Sequence, residues 1–165
     1  ALEQLGYQAE SGPWRDFYLT GAQELRHGPP VGVGSNTVGR DTVAAMTVSM
    51  LFDYLGVRID GLAAAAAGPW SIGVVVTDRD ERWRVGIERG ALHATALGGG
   101  SDPVDGVDVT LSLDHASLAA LVMGATTIDA LAEAGAIAVD GDASVLTGLV
   151  DVLDTFVLMF PIVTP

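Results

Sequence analysis

Apolar and polar residues alternate through the middle of the chain. Ile72, Val74 and Val76 are separated by small or apolar residues, and the segments 83–88 and 107–113 carry an apolar residue at every second position. A period of two predicts β-strands with one buried side and one solvent-facing side. Because the connections are short, the pattern also predicts that these strands pair antiparallel. Arg89-Gly90 is predicted to be a tight turn into the segment 91–96.

Segments on both sides of these strands show apolar residues at helical spacing instead. Asp41 is the expected N-cap of a helix that ends at Gly56, and Val57 and Ile59 then begin a short strand. Asp114 caps a later helix, and a strand over 137–139 precedes the last one. The predicted helices cover residues 1–8, 13–26, 41–55, 114–124, 126–135 and about 143–160.

Composition divides the chain in two. The segment 28–36 holds two prolines and three glycines and is predicted to be a linker. We therefore expect a small N-terminal part over 1–37 and a larger domain over 38–165. Within the larger domain, the alanine-rich segment 62–68 is compatible with either a short helix or a loop.

The charge distribution is one-sided. Eight arginines face 21 acidic residues, which gives a net charge of −13, and the ten acidic residues after Ala91 have no basic residue among them. Such a surface repels phosphate, so nucleic acid is excluded as a partner and anionic membrane surfaces are disfavoured. The sequence has no apolar run of about 18 residues, so no membrane span is predicted. The absence of cysteine excludes disulfides and thiolate metal sites and leaves the compartment open.

Catalytic and metal-binding motifs are missing. His27, His93 and His115 have no further ligand at metal-binding spacing, so no metal site is predicted, and His115 is expected at the surface. The chain has no Gly-x-Ser-x-Gly nucleophile motif, and Gly-Gly-Gly-Ser at 98–101 lacks the lysine of a phosphate-binding loop. We predict no catalytic residue, and no enzyme activity for this chain alone.

Two groups of side chains allow a binding role. Arg82 and Arg84, with Arg79 and Arg89 nearby, either pair with acidic residues on adjacent strands or dock an acidic surface of a partner domain. The methionines on apolar stripes either fill gaps in a core or line a deformable pocket for an alkyl chain. The residues predicted to line such a pocket are Met46, Met50, Val74, Val76, Trp83, Val85, Leu111, Leu121, Met123, Leu149, Leu153, Phe156 and Met159.

Two parts of the sequence carry a family resemblance. The segment LEQLGYQAESGPWRDFYLTGAQELR at 2–26 resembles the end of the dimerisation domain of alkylsulfatases in the metallo-β-lactamase superfamily. The remainder is similar to the sterol-carrier-protein-like C-terminal domain of the same enzymes. That similarity rests on the helix predicted over 41–55 and on WRVGIERGAL at 83–92, VDVTLSLDHASLAALVMG at 107–124, IAVDGD at 137–142 and FPIVTP at 160–165.

The resemblance implies an α/β fold of the α+β type: a five-stranded mixed sheet covered by helices, with an apolar tunnel between them, preceded by two short helices. It implies that the whole enzyme hydrolyses alkyl sulfates with two zinc ions, held by a His-x-His-x-Asp-His motif that this chain lacks. No cofactor is therefore expected in this chain.

The expected function is that of a non-catalytic C-terminal domain that binds or steers an aliphatic tail, with an alkyl chain or fatty acid as ligand. The alternative is a structural dimerisation module with a filled core. A homodimer is expected to form through the N-terminal helices and the missing domains.

Overall fold

The computed structural model describes residues 1–29, 39–154 and 160–163. The chain divides into two compact units, one built from Ala1–Thr37 together with Phe156–Pro165, and the other from Val38–Thr155. The division after Thr37 falls at the end of the glycine- and proline-rich linker. The last ten residues belong to the same unit as the N-terminal helices.

The first unit contains helices α1, Leu2–Gln8, and α2, Gly12–His27. The two helices approach closely at Gly6, where a Cβ would lie 2.7 Å from Cδ2 of Leu19. The Arg26 guanidinium and the Glu3 carboxylate form an ion pair between the helices. The hydrogen bond from Arg26 lowers the pKa of Glu3 below its ordinary value, and a second hydrogen bond from Tyr7 adds to this effect.

The second unit combines one five-stranded sheet with six helices among the residues described. Its helices are α3 (Arg40–Ala45), α4 (Val48–Val57), α5 (Gly61–Ala67), α6 (His115–Val122), α7 (Ile128–Glu133) and α8 (Ser144–Asp151). Its strands are β1 (Trp70–Val76), β2 (Glu81–Glu88), β3 (Ala91–Gly98), β4 (Val109–Leu113) and β5 (Ile137–Gly141).

The strand order is β3-β2-β1-β4-β5, and the sheet is mixed. Strands β1 and β2, β2 and β3, and β4 and β5 pair antiparallel, whereas β1 and β4 pair parallel. The prediction that all the strands pair antiparallel is therefore wrong for β1 and β4. Two strands and a long loop separate β1 from β4. This connection is long enough for β4 to lie beside β1 and run in the same direction as β1. The mixed five-stranded sheet expected from the resemblance is confirmed.

The predicted tight turn between β2 and β3 is confirmed. Arg89 and Gly90 have φ angles of 54° and 78°, and two successive positive φ angles are typical of a two-residue hairpin turn. Gly90 also approaches the backbone of α5, because a Cβ at this position would lie 2.2 Å from the carbonyl oxygen of Gly61. A side chain at Gly90 would therefore separate the turn from α5.

The single helix predicted from Asp41 to Leu55 is wrong, because the structure has two helices there. Met46 is extended between α3 and α4, with φ −65° and ψ 140°. Thr47 then caps α4, since its hydroxyl accepts the N–H of Met50 at 3.2 Å. Asp41 lies within α3 and does not cap it with its side chain.

The ends of two helices also differ from the predictions. Helix α4 continues through Gly56 to Val57, so no strand begins at Val57. Helix α8 ends at Asp151 rather than near Phe160; the segment 155–159 lies outside the described residues. Helix α8 stops because the chain pairs with the segment after α4 instead: the N–H of Asp154 donates to the carbonyl of Arg58 at 2.6 Å, and Ile59 and Leu153 form a β-bridge. At the start of α7, Thr127 rather than Thr126 provides the cap.

The core lies between one face of the sheet and helices α4, α6 and α8. Its buried residues are Val43, Val48, Leu51, Phe52, Leu55, Ile72, Val74, Val76, Val85, Val109, Leu111, Leu113, Leu118, Ala119, Val122, Val145 and Leu146. The prediction of one solvent-facing side is wrong for β1, where Val75 is 1% exposed. The loop between β3 and β4 places Val104 over this side, at Gly73.

Candidate ligand-binding site

The predicted lining residues of the sheet lie inside the packed core. Val74, Val76, Val85 and Leu111 are buried in one cluster with side chains from α4, α6 and α8. In the described part of the chain, these side chains occupy the layer where the apolar tunnel was expected. The sequence therefore identified residues that share one environment, and that environment is the interior of the domain.

The other predicted lining residues lie at the periphery of the same core or apart from it. Met50 is 49% exposed, whereas the partly buried members pack against the edge of the cluster. Phe156 and Met159 lie outside the described residues. The peripheral members are Met46, Trp83, Leu121, Met123, Leu149 and Leu153.

An open groove lies between α4 and β3, which we call the α4–β3 groove. Its volume is about 360 Å³, and it is lined by Ser49, Phe52, Asp53, Gly56, Val57, Gly90, Ala91, Leu92 and Ala94. The α4 residues recur at helical spacing and so share one face of the helix. Strand β3 is at the edge of the sheet, so no further strand of the described segments pairs beyond it on this side of α4.

Gly56 keeps the α4–β3 groove open. Among the described residues, a Cβ at Gly56 would meet only Cβ of Leu92, at 4.0 Å, so they leave the space opposite this glycine unfilled. Glycine inside a helix costs about 0.5–1 kcal/mol relative to alanine. The sequence pattern predicted that Gly56 ends the helix, and none of the groove residues was predicted to line a binding site. A glycine within an apolar helical stripe was the available signal.

The α4–β3 groove has an apolar wall and an acidic margin. Phe52 is 2% exposed and packs edge-to-face on Trp83, with ring centroids 5.5 Å apart. Asp53 is exposed, and no arginine is among the lining residues. This arrangement favours an uncharged apolar group and disfavours an anion within the groove.

The arginines of β2 do not form the predicted pairs with acidic residues. Among the described residues, neither Arg82 nor Arg84 has a carboxylate within ion-pair distance, and Nη2 of Arg84 donates to the carbonyl of Asp105 at 2.7 Å. Nε of Arg82 is buried without a hydrogen-bond partner in the same part of the chain. Docking of an acidic surface by these arginines stays a prediction.

His115 is buried rather than exposed, so its predicted surface position is wrong. Its Nε2 lies 2.9 Å from the carbonyl oxygen of Met46, and its backbone N–H donates to Oδ1 of Asp78 at 2.8 Å. A carbonyl at the break between α3 and α4 thus satisfies the imidazole, which makes its burial possible. The described residues contain no group of three histidine, cysteine or acidic side chains that could hold a metal ion.

No helix in the described part of the chain has both the length and the apolar character needed to cross a membrane.

Comparison with protein families identifies both parts of the sequence. The family described as alkyl sulfatase C-terminal matches residues 36–165, and the alkyl sulfatase dimerisation family matches residues 1–28. The chain belongs to the alkyl sulfatase C-terminal family. The predicted resemblance is therefore confirmed.

Relatives of this alkyl sulfatase C-terminal chain are longer proteins. A linear primary-alkylsulfatase from Pseudomonas sp. is 38% identical over the whole chain, and an (R)-specific secondary-alkylsulfatase from Pseudomonas sp. is 34% identical. An alkyl/aryl-sulfatase from Saccharomyces cerevisiae is 32% identical. The chain spans 24% of the length of each of these relatives.

Solved structures show the same relationship. The stereoselective inverting sec-alkylsulfatase Pisa1 from Pseudomonas sp. matches 98% of this chain at 31% identity, with a TM-score of 0.77, and the match covers 24% of that protein. Sterol Carrier Protein-2 like-3 from Aedes aegypti matches 65% of this chain and 97% of its own, at 12% identity and a TM-score of 0.48.

Proposed function

We propose that this chain is the non-catalytic C-terminal part of an alkylsulfatase and that it steers the aliphatic tail of an alkyl sulfate in the α4–β3 groove. The observation that carries the proposal is the unfilled space opposite Gly56, across from Leu92 of β3, in the described part of the chain. The named activities of the relatives support the substrate class. The packed layer between sheet and helices is the reason for assigning the tail to the α4–β3 groove rather than to an internal tunnel.

Hydrolysis with two zinc ions belongs, in this proposal, to a domain outside the chain. The described residues supply no set of metal ligands, so the zinc ions do not fit here, and no step of the reaction is assigned to this chain. Its contribution is restricted to the apolar part of the substrate.

The size of the α4–β3 groove suits weak binding. A volume of about 360 Å³ is near the lower end of the range for small-molecule sites. A fully buried methylene contributes about 0.8 kcal/mol, and an open groove buries roughly half of each, so the eight carbons of an octyl chain give about 3 kcal/mol. That free energy corresponds to a dissociation constant of about 5 mM, before the cost of ordering the chain is counted. Such affinity suits steering of a substrate more than storage of a lipid.

Charge sets the orientation of the tail. Asp53 and the net charge of −13 repel a sulfate group, so the apolar end enters the α4–β3 groove and the sulfate stays in solvent. Salt screens this repulsion, since the Debye length is about 8 Å at physiological ionic strength. The expected affinity for octyl sulfate therefore rises with salt, and that for neutral octanol rises less.

The test is a titration of ¹⁵N-labelled chain with octyl sulfate, followed by amide chemical shifts. We expect saturable shifts at Phe52, Gly56 and Leu92. Gly56→Leu fills the groove and should weaken binding at least tenfold, whereas Leu62→Ala, which removes an 88% exposed leucine outside the groove, should not change it. Equal binding by Gly56→Leu contradicts the proposed site, and shifts centred on Val74 and Leu111 instead favour the internal tunnel.

A second candidate function is dimer assembly by the N-terminal helices. Within the first unit, large apolar side chains are exposed, and this segment matches the dimerisation family. Exposed aromatic side chains in one region are typical of an interface. The exposed large apolar residues of α1 and α2 are Leu5 at 46%, Tyr7 at 62%, Trp14 at 64%, Phe17 at 63% and Leu25 at 60%.

Analytical ultracentrifugation tests the second candidate. We expect a concentration-dependent dimer that the double variant Trp14→Ser and Phe17→Ser abolishes. Val150→Ser, which changes an exposed apolar residue of the second unit, is the control and should leave the dimer unchanged. A monomer at all concentrations counts against assembly by these helices alone.

A further inference from the structure

Helix α2 contains a buried carboxylate that binds backbone. Glu24 is 3% exposed, and the N–H groups of Ile162 and Val163 donate to its Oε2 at 2.7 Å and its Oε1 at 3.2 Å. A buried carboxylate is unfavourable without hydrogen bonds, and bonds to an ionised acceptor are among the strongest in proteins. Two successive backbone donors on one carboxylate are therefore a specific arrangement rather than an incidental contact.

A glycine one turn earlier makes room for the same segment. A Cβ at Gly21 would lie 2.9 Å from Cγ1 of Val163 and 3.5 Å from Cδ1 of Leu2. Residues three apart share a helix face, so the missing side chain of Gly21 and the carboxylate of Glu24 lie side by side. We call this depression, formed by Gly21 and Glu24 with Leu2 beside it, the Gly21–Glu24 slot.

We propose that the Gly21–Glu24 slot is a peptide-binding site for an uncharged extended segment and that its ligand is the chain's own segment Phe160–Val163. The slot requires two consecutive N–H donors and a β-branched side chain above Gly21. The segment meets these requirements, since Ile162 and Val163 both keep an N–H, and Pro161 before them has none to leave unpaired. The segment carries no charge of its own, so the carboxylate does not repel it.

Hydrogen exchange in the full chain tests the proposal. The amides of Ile162 and Val163 should be protected in the natural chain and should exchange at least tenfold faster in Gly21→Leu and in Glu24→Gln. Gly12→Leu is the matched control, because Gly12 belongs to the same helix and a Cβ there meets nothing within 4 Å. Equal protection in Gly21→Leu and Gly12→Leu would overturn the assignment. Protection that increases with protein concentration would overturn it too, because the bound segment would then come from a second copy.

A separate peptide gives an independent readout. The probe is the capped tetrapeptide Phe-Pro-Ile-Val, added to a chain that ends at residue 159 and retains its helical circular dichroism. We expect saturable binding to the shortened chain and at least tenfold weaker binding to the full chain, whose slot is occupied. The peptide Phe-Pro-Pro-Val lacks one N–H donor and should bind at least tenfold more weakly. Equal binding of the two peptides would refute recognition by the carboxylate, whatever the stability of the shortened chain.

Discussion

Gly73 in β1 offers a direct test of how the second side of the sheet is covered. A Cβ at Gly73 would lie 2.6 Å from Cβ of Val104 and 2.9 Å from Oγ1 of Thr110, both shorter than any ordinary contact. Val104 has little freedom to move away, because Ser71 and Asp108 bind each other through the N–H of Ser71 at 2.7 Å and the N–H of Asp108 at 2.8 Å. Gly73→Ala therefore forces the loop off β1 or distorts the strand.

The expected cost of Gly73→Ala follows from two opposing effects. Overpacking a core costs about 1–3 kcal/mol, and replacing glycine by alanine stabilises by about 0.4–1 kcal/mol through the unfolded state. The net loss should lie between about 0 and about 2.6 kcal/mol. Gly86→Ala on the adjacent strand β2 is the matched control, since its Cβ would lie 3.5 Å from Cδ2 of His93 and 3.9 Å from the carbonyl oxygen of Trp70, both ordinary contact distances. The control should gain about 0.4–1 kcal/mol.

Urea unfolding at equilibrium, followed by far-ultraviolet circular dichroism, measures this difference. Because the chain has two units, hydrogen exchange of the β1 amides should confirm that the second unit is the one affected. Gly73→Ala should be less stable than Gly86→Ala by about 1–3 kcal/mol, because the effect on the unfolded state is common to both variants. Equal stability of the two variants would refute the packing of Val104 on β1.

Two further predictions concern polar groups of the second unit. His115→Ala removes the imidazole beside the Met46 carbonyl and should lower the free energy of unfolding in urea by about 1–3 kcal/mol. The control His93→Ala, at an exposed position, should lower it little. Equal losses of stability in the two variants would contradict the role of the buried imidazole. The N–H of Ser117 lowers the pKa of Asp114, so this carboxylate stabilises the fold above about pH 4, and the contribution is lost as the pH falls through the lowered value. Asp114→Asn does not titrate, so its urea midpoint should fall less than that of the natural chain between about pH 5 and about pH 2.5; an unchanged pH dependence would contradict this linkage.

The period-two pattern located the strands well because it depends on local geometry. The alternation through Val74, Val85 and Leu111 placed three strands and their buried side, and the two-residue turn at Arg89 and Gly90 was clear from its residue types. The parallel pairing of β1 with β4 depends on the path of the intervening chain, and no local pattern records that path. The resemblance implied a mixed sheet, whereas the local reasoning did not.

The errors in the helix predictions arise where the local sequence allows a helix to break and a contact from a distant residue stabilises the break. The apolar stripe through Met46 and Leu51 is continuous, but the hydroxyl of Thr47 captures the N–H of Met50 and starts a new helix. The carbonyl of Met46 is then bound by His115, which is 69 residues away along the chain. Sequence reasoning could identify Thr47 as a possible cap, but not the distant partner that stabilises the break.

The candidate site shows the limit of apolar stripes as a signal. A stripe identifies residues that face the interior, and Val76 and Leu111 do so. It does not distinguish space filled by other side chains from space left for a ligand, because both require the same residues. A cavity forms only where no side chain packs opposite the stripe, and the fold as a whole determines which side chains pack there.

Glycines within helices indicate where a side chain is missing opposite a neighbouring element. In the structure, some of these positions are in close contact with another part of the chain and one is open. Cβ atoms at Gly6, Gly21 and Gly148 would lie 2.7 Å from Leu19, 2.9 Å from Val163 and 2.7 Å from Trp70. At these positions the glycine admits another part of the chain at close range. At Gly56 the nearest atom among the described residues would be 4.0 Å away. This glycine destabilises its helix as the others do, but it leaves a groove rather than admitting a close contact. Filling Gly56 should therefore stabilise α4 and remove alkyl binding together, whereas filling Gly21 should displace the C-terminal segment. A single substitution at each position thus separates a site kept open for a ligand from one already occupied by the chain.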